Sequence, residues 1–277
     1  MILIVFGRSR CCAALMRVVN HGRQKSCLHT VKANMCEVNN MAKKINKIDY
    51  TDVPETLANH PFYGLELDDE QKIFRDAIWD KGKDIVFCNS RSGGGKTLIS
   101  VATANLLVMY GIYQKLIYVC SPCGNENRLG YLPGTLTEKA EVMYEPLYSA
   151  LETLGINPFT AIDNGSLVNQ KYDNSGYIKP LTDVYLRGCN LDNCVVILEE
   201  TQNAEFHLLK KILTRVCKNT KVICIGHEGQ IDLPNKDSSG FVKYIEWFKA
   251  KNDDRVAICE LNHVHRSWIA EYADQLR

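Results

Sequence analysis

The run Ser90-Arg91-Ser92-Gly93-Gly94-Gly95-Lys96-Thr97 follows the apolar stretch Ile85-Val86-Phe87-Cys88 and precedes a helix-like segment from Leu98 to Met109. A glycine-rich turn that leaves a strand and enters a helix points consecutive backbone N–H groups at a phosphate chain, and the helix N-terminus adds partial positive charge. In that arrangement Lys96 reaches the β and γ phosphates of a nucleotide, and the Thr97 hydroxyl ligates magnesium. The usual pattern opens with glycine where this chain has Ser90, so Gly93, Gly94 and Gly95 must supply the backbone freedom.

Such a loop needs a sheet around it, and the flanking sequence supplies one. Strand-like apolar runs occur at 84–88, 116–120, 194–198, 222–225 and 256–259, most of them separated by helical stretches. Strands that are apolar throughout and alternate with helices predict an α/β fold, a mainly parallel sheet with helices on both faces. One helix starts at Asp68, with Ile73, Phe74, Ala77 and Ile78 at amphipathic spacing. Another is expected over Ala204 to Cys217, with Leu208, Leu209, Ile212, Leu213 and Val216 on one face. Between about 156 and 190, Gly, Asn and Asp turn signals predict an irregular insertion or hairpin.

A chain of 277 residues with 45% hydrophobic content accommodates one such domain plus extensions. Residues 1–40 read as a poorly ordered extension or an over-called start, 41–64 as a polar lead-in opening at Met41, and 65–277 as the domain. No stretch approaches the roughly 20 apolar residues of a membrane-spanning helix, so a soluble, cytoplasmic protein without membrane contact is expected. The twelve cysteines are scattered through apolar strands and read as reduced, buried thiols. Cys120-Ser-Pro-Cys123 lacks a matched second pair for zinc, and the spacing of His227, His263 and His265 leaves them unassigned as metal ligands. Six basic residues and one acid give residues 1–40 a charge of +5, so against the overall +1 the remaining 237 residues carry −4. That body lacks the broad basic footprint of a strong duplex binder, and nucleic-acid contact would need a local basic patch.

The run "VVILEETQN" ends a buried strand with Glu199 and Glu200. An acid at such a strand end holds magnesium, usually through water, and the next acid polarises the attacking water. Glu199 is therefore assigned to the metal and Glu200 to the general base. Gln202, two residues on, and Gln230, just past another buried strand in "CIGHEGQIDLP", are candidates for contact with the γ-phosphate. Gln71 is a candidate for hydrogen bonding adenine, although alone it reads as an exposed helix residue. Arg266 in "HVHRSW" is a candidate arginine finger, in its own subunit or a neighbour.

Taken in order, "SRSGGGKT", "NRLGYLPGTLTEK" (Asn127 to Lys139), "VYLRGCNL" (Val184 to Leu191), "VILEETQN", "LTRVCKNTKV" and "GHEGQIDLP" (Gly226 to Pro234) resemble the PhoH family. The resemblance runs from about residue 65 to the C-terminus, and LGYLPG and GQIDLP are its most specific parts. It implies a single RecA-like P-loop NTPase domain related to superfamily 1 helicases, hydrolysing ATP with Mg2+ and coupled to RNA. It also implies that Gln71 contacts adenine, that Lys96, Thr97, Glu200, Gln202, Gln230 and Arg266 take the roles above, and that Arg187 and Arg215 meet phosphate or RNA. The chain departs from the family pattern at Ser90, Ser121, Glu199 and His227. These departures cluster at the nucleotide site and make binding and hydrolysis separate questions. Residues 65–277 suffice for one lobe, so the resemblance favours a homo-oligomeric ring in which one subunit completes the next one's site. The alternatives are a non-hydrolysing nucleotide switch and a small-molecule phosphotransferase.

Overall fold

A computed structural model describes residues 53–120, 142–163, 176–182, 190–269 and 272. Residues 1–40 and the LGYLPG segment lie outside these, as does Arg187. The described residues form six strands, β1 (Ile85–Ser90), β2 (Lys115–Cys120), β3 (Ile178–Thr182), β4 (Cys194–Glu199), β5 (Thr220–Gly226) and β6 (Val256–Leu261). They make one sheet in the order β3-β2-β4-β5-β1-β6, and every neighbouring pair is parallel. All strands therefore end on the same edge, where the phosphate loop leaves β1. The strand β5 lies between β1 and β4, so the loop and the Glu199-Glu200 pair come from non-adjacent strands.

Among the described residues six helices accompany the sheet: α1 (Asp69–Trp79), α2 (Lys96–Met109), α3 (Glu145–Thr153), α4 (Pro158–Ala161), α5 (Phe206–Leu213) and α6 (Gly240–Lys251). Side chains alternate along each strand, which divides the interior into two layers. Val86, Cys88, Leu116, Tyr118, Val195, Ile197, Ile223 and Ile225 share one core with α1, α2 and α3 residues such as Phe74, Ile78, Leu107 and Leu147. Phe87, Val119, Val196, Leu198, Val222 and Cys224 share the other with Leu209 and Ile212 of α5 and Phe241 and Ile245 of α6. Each fully buried aliphatic or Phe side chain contributes about 1.5–3 kcal/mol relative to exposure. The expected α/β class, with helices on both faces of the sheet, is what forms.

Three details differ from the sequence reading. The described part of the 156–190 region contains α4 and the sixth strand, β3, which pairs parallel with β2 through Leu116↔Ile178 to Cys120↔Thr182. Its Pro180 conceals it in the sequence, but an edge strand tolerates proline because one side of its backbone needs no partner. The helix expected over Ala204–Cys217 is shorter, because Leu191 and Val216 form a parallel bridge: the Leu191 N–H donates to the Arg215 carbonyl at 3.0 Å and the Cys217 N–H to the Leu191 carbonyl at 2.8 Å. Finally, Leu57 and Phe62 of the supposedly polar lead-in are buried in the core, and the Trp79 indole N–H donates to the Pro54 carbonyl at 3.1 Å. Among the described residues no helix is long and apolar enough to cross a membrane.

Candidate functional site

The phosphate loop is shaped by two left-handed glycines, Gly93 at φ 91° and Gly95 at φ 85°, conformations that cost a side-chain-bearing residue steric strain. Gly95 caps α2, which begins at Lys96. Ser90 belongs to β1 and pairs with Leu261 of β6, so it needs none of the freedom glycine usually provides at this place. Its Oγ, which donates to the Arg91 carbonyl at 3.0 Å, occupies the space beside Gly94: a Cβ on Gly94 would lie 2.4 Å from it. The substitution Ser for Gly at 90 is thus accommodated by the missing side chain at 94. Arg91 is exposed and Ser92 half-buried on the outer turn of the loop.

Two segments hold the loop from outside. Gln71 is buried, not the exposed helix residue its sequence position suggests. Its Oε1 accepts from the Asp68 N–H at 3.1 Å while Asp68 Oδ1 accepts from the Gln71 N–H at 2.8 Å, a reciprocal cap that starts α1. The remaining end of the amide, Nε2, donates to the Gly94 carbonyl at 3.0 Å. On the other flank, the His265 N–H donates to the Gly93 carbonyl at 3.1 Å. The Arg266 side chain crosses Gly93 so closely that a Cβ there would lie 2.6 Å from Arg266 Cγ. Arg266 therefore reaches the loop of its own chain.

At the end of β4 the two acids have different surroundings. Glu199 is 5% exposed; it accepts from the Thr97 hydroxyl at 3.0 Å and from the Tyr118 hydroxyl at 2.9 Å. Burial pushes its carboxyl up to about 7, against the pull of the Lys96 ammonium, and the neighbouring Glu200 adds to the rise. Glu200 adopts a left-handed backbone, φ 50° and ψ 39°, a conformation retained at functional positions more often than elsewhere. Its carboxylate, 39% exposed, lies 4.0 Å from Lys96 Nζ. A cation, an ionisable acid and a buried hydroxyl-bound acid thus converge at the mouth of the loop.

Gln202 is 1% exposed and joins the ends of β4 and β5. Its Nε2 donates to Glu200 at 2.6 Å and to the Gln230 carbonyl at 3.3 Å, and its Oε1 accepts from the His227 N–H at 3.2 Å. Its polar atoms are engaged by protein groups, which makes it a fixed brace for Glu200. Gln230 itself lies exposed in the turn after β5. Arg215 sits elsewhere: its carbonyl accepts from the Leu191 N–H ahead of β4, at the sheet edge opposite the phosphate loop. Sequence reasoning missed Tyr118, whose place in an apolar strand hides the hydroxyl that reaches Glu199. It also missed that Asp68 meets His263 and His265, because 195 or more residues separate them along the chain.

The raised Glu199 carboxyl predicts a pH effect on stability. In the unfolded chain this group ionises near its ordinary value of 4.5, but in the folded chain it does so near 7. Below about pH 4.5 it is protonated in both states and costs nothing. As pH rises toward 7 the unfolded state releases its proton first, so folding loses stability, by up to about 3 kcal/mol above pH 7. Urea unfolding of the native chain and of Glu199→Gln at pH 5 and pH 8 should show this loss in the native chain and a smaller one in the variant. Equal pH dependence in both would contradict the assignment.

The family described as PhoH-like protein matches residues 66–275. A PhoH-like protein of Mycobacterium leprae is 32% identical over 203 residues, covering 73% of this chain and 51% of that protein. One from Bacillus subtilis is 33% identical over 183 residues, covering 66% and 54%. The chain thus spans about half the length of the curated relatives it matches. Among solved structures, the HK97 bacteriophage large terminase aligns with a TM-score of 0.46 at 18% identity, covering 73% of this chain and 40% of that one.

Proposed function

The chain belongs to the PhoH-like protein family, and from that premise we propose that it is a RecA-like, magnesium-dependent ATPase coupled to RNA. The observation that carries the reading is the convergence of Lys96 with Glu200 at 4.0 Å across the phosphate loop, beside the Thr97–Glu199 hydrogen bond. A generic glycine turn has no need of a strained acid opposite its lysine.

In this reading the backbone N–H groups of Gly93 to Thr97 hold the phosphate chain, and Lys96 exchanges its contact with Glu200 for the β and γ phosphates. Glu200, freed from Lys96 but still braced by Gln202, accepts the proton of the attacking water. Thr97 and Glu199 supply the hard oxygen donors that suit Mg2+; bound there, the ion would neutralise developing phosphate charge. Arg266, already across Gly93, takes the arginine-finger position from within its own chain or, in a homo-oligomeric ring, assists a neighbour's. Gln71, which holds the loop through the Gly94 carbonyl, keeps a second Nε2 hydrogen for the adenine contact, and exposed Gln230 is available to the terminal phosphate. Ser90, Arg91 and Ser92 complete the loop.

A second reading, a nucleotide switch that binds without turnover, is favoured by one observation: Glu199 has both oxygens engaged by hydroxyls and gives up its proton only near pH 7. Phosphate release from ATP and Mg2+, measured with and without single-stranded RNA, separates the two. The ATPase reading expects release that RNA accelerates. ATP binding with no release under either condition would replace it with the switch.

A further inference from the structure

Asp68, His263 and His265 meet where the chain leaves β6 and passes the start of α1. Each offers one ligating atom, and the three atoms lie within 4.8 Å of one another. We propose that these side chains form a binding site for a divalent transition-metal ion of the zinc class, separate from the nucleotide site.

The geometry is prepared on every side. His265 Nε2 lies 2.7 Å from Asp68 Oδ2, and the His263 and His265 rings stack at 4.7 Å between centroids with planes 9° apart. The two histidines are two residues apart just beyond β6, and their stacked rings lie on the same side. Their backbone is held independently of any ion, because Glu70 accepts from the Asn262 N–H at 2.6 Å and from the His263 N–H at 3.3 Å. Asp68 divides its two oxygens: Oδ1 caps α1, and Oδ2 meets His265 Nε2, a contact that an ion bound between the two would replace.

Two imidazoles and a carboxylate suit zinc and its transition-metal neighbours, whereas Mg2+ prefers an all-oxygen shell. Bonds of about 2.0–2.2 Å would require the three atoms to draw together. Side chains that are 41% exposed at His265 and 25% exposed at Asp68 have the freedom to do so. Three protein ligands leave a fourth position for water. The ion would clamp the two segments that grip the phosphate loop, since Gln71 of the Asp68 cap holds Gly94 and His265 holds Gly93.

Titration of the full chain with Zn2+ by calorimetry, and with Co2+ by visible absorption, tests the site without nucleotide, so its outcome is independent of the ATPase reading. The double variant His263→Gln/His265→Gln is expected to lose one bound ion per chain. Asp68→Asn, which keeps a good helix cap and removes the carboxylate, should bind Zn2+ at least tenfold more weakly with an unchanged metal-free melting temperature. The cysteines are identical in all three proteins, so the difference between them reads this site alone. Equal ion uptake and affinity in native and variant chains would overturn the proposal, as would displacement of the ion by millimolar Mg2+.

Discussion

Glu200→Gln is expected to slow phosphate release from ATP by about 100-fold or more while leaving ATP bound as tightly as in the native chain. General-base catalysis is worth roughly 10²–10⁴ in rate, and the amide cannot accept the proton of the attacking water. The substitution is conservative in every other respect. An amide oxygen at 200 still accepts from Gln202 Nε2, which now donates to Glu200 at 2.6 Å, so the brace between the β4 and β5 ends persists. Removing the negative charge also frees Lys96 from its partner 4.0 Å away, which favours the phosphates. Nucleotide affinity by fluorescence titration and release by a phosphate sensor, on the same preparation, check both halves. Retained turnover would remove Glu200 from the reaction, and joint loss of binding and turnover would make it a structural residue.

Lys96→Ala is expected to act at the earlier step and weaken ATP binding by about 100-fold. Hydrogen bonds to charged groups contribute about 1.5–3 kcal/mol each, and loss of about 2.8 kcal/mol is two decades in affinity. The same change removes the cation whose pull moderates the rise in the Glu199 carboxyl, so that group should titrate still higher. The Lys96 side chain is 12% exposed, and its truncation leaves two acids facing each other. Equilibrium titration with labelled ATP reads the affinity, and urea unfolding distinguishes lost binding from lost structure. Native affinity in a folded variant would exclude the loop as the phosphate site.

What was legible in the sequence follows the reach of the physical rule applied. Apolar runs such as Cys194-Val195-Val196-Ile197-Leu198 identify buried parallel strands because both of their faces meet helices, and all of these lie buried. The glycine run and the acid pair were legible because phosphate binding constrains neighbours in sequence. Contacts between distant segments were not. Gln71 looks like any polar residue on a helix until Gly94 is brought to its amide. Lys221, a charged residue flanking an apolar run, is 1% exposed within β5, donating to the Asp80 and Lys83 carbonyls; burial lowers it to about 8. Ser90 reads as a defect in a motif, and its compatibility with Gly94 emerges only in three dimensions.

The interposition of β5 between β1 and β4 makes the site's width a property of the main chain. Lys96 and Glu200 issue from strands two ladder spacings apart, roughly 10 Å at about 4.8 Å per pairing, and no rotamer change alters that gauge. Drift in surface side chains can therefore retune who docks at the rim while the slot keeps its calibre. Only a displacement of β5 itself would rescale it.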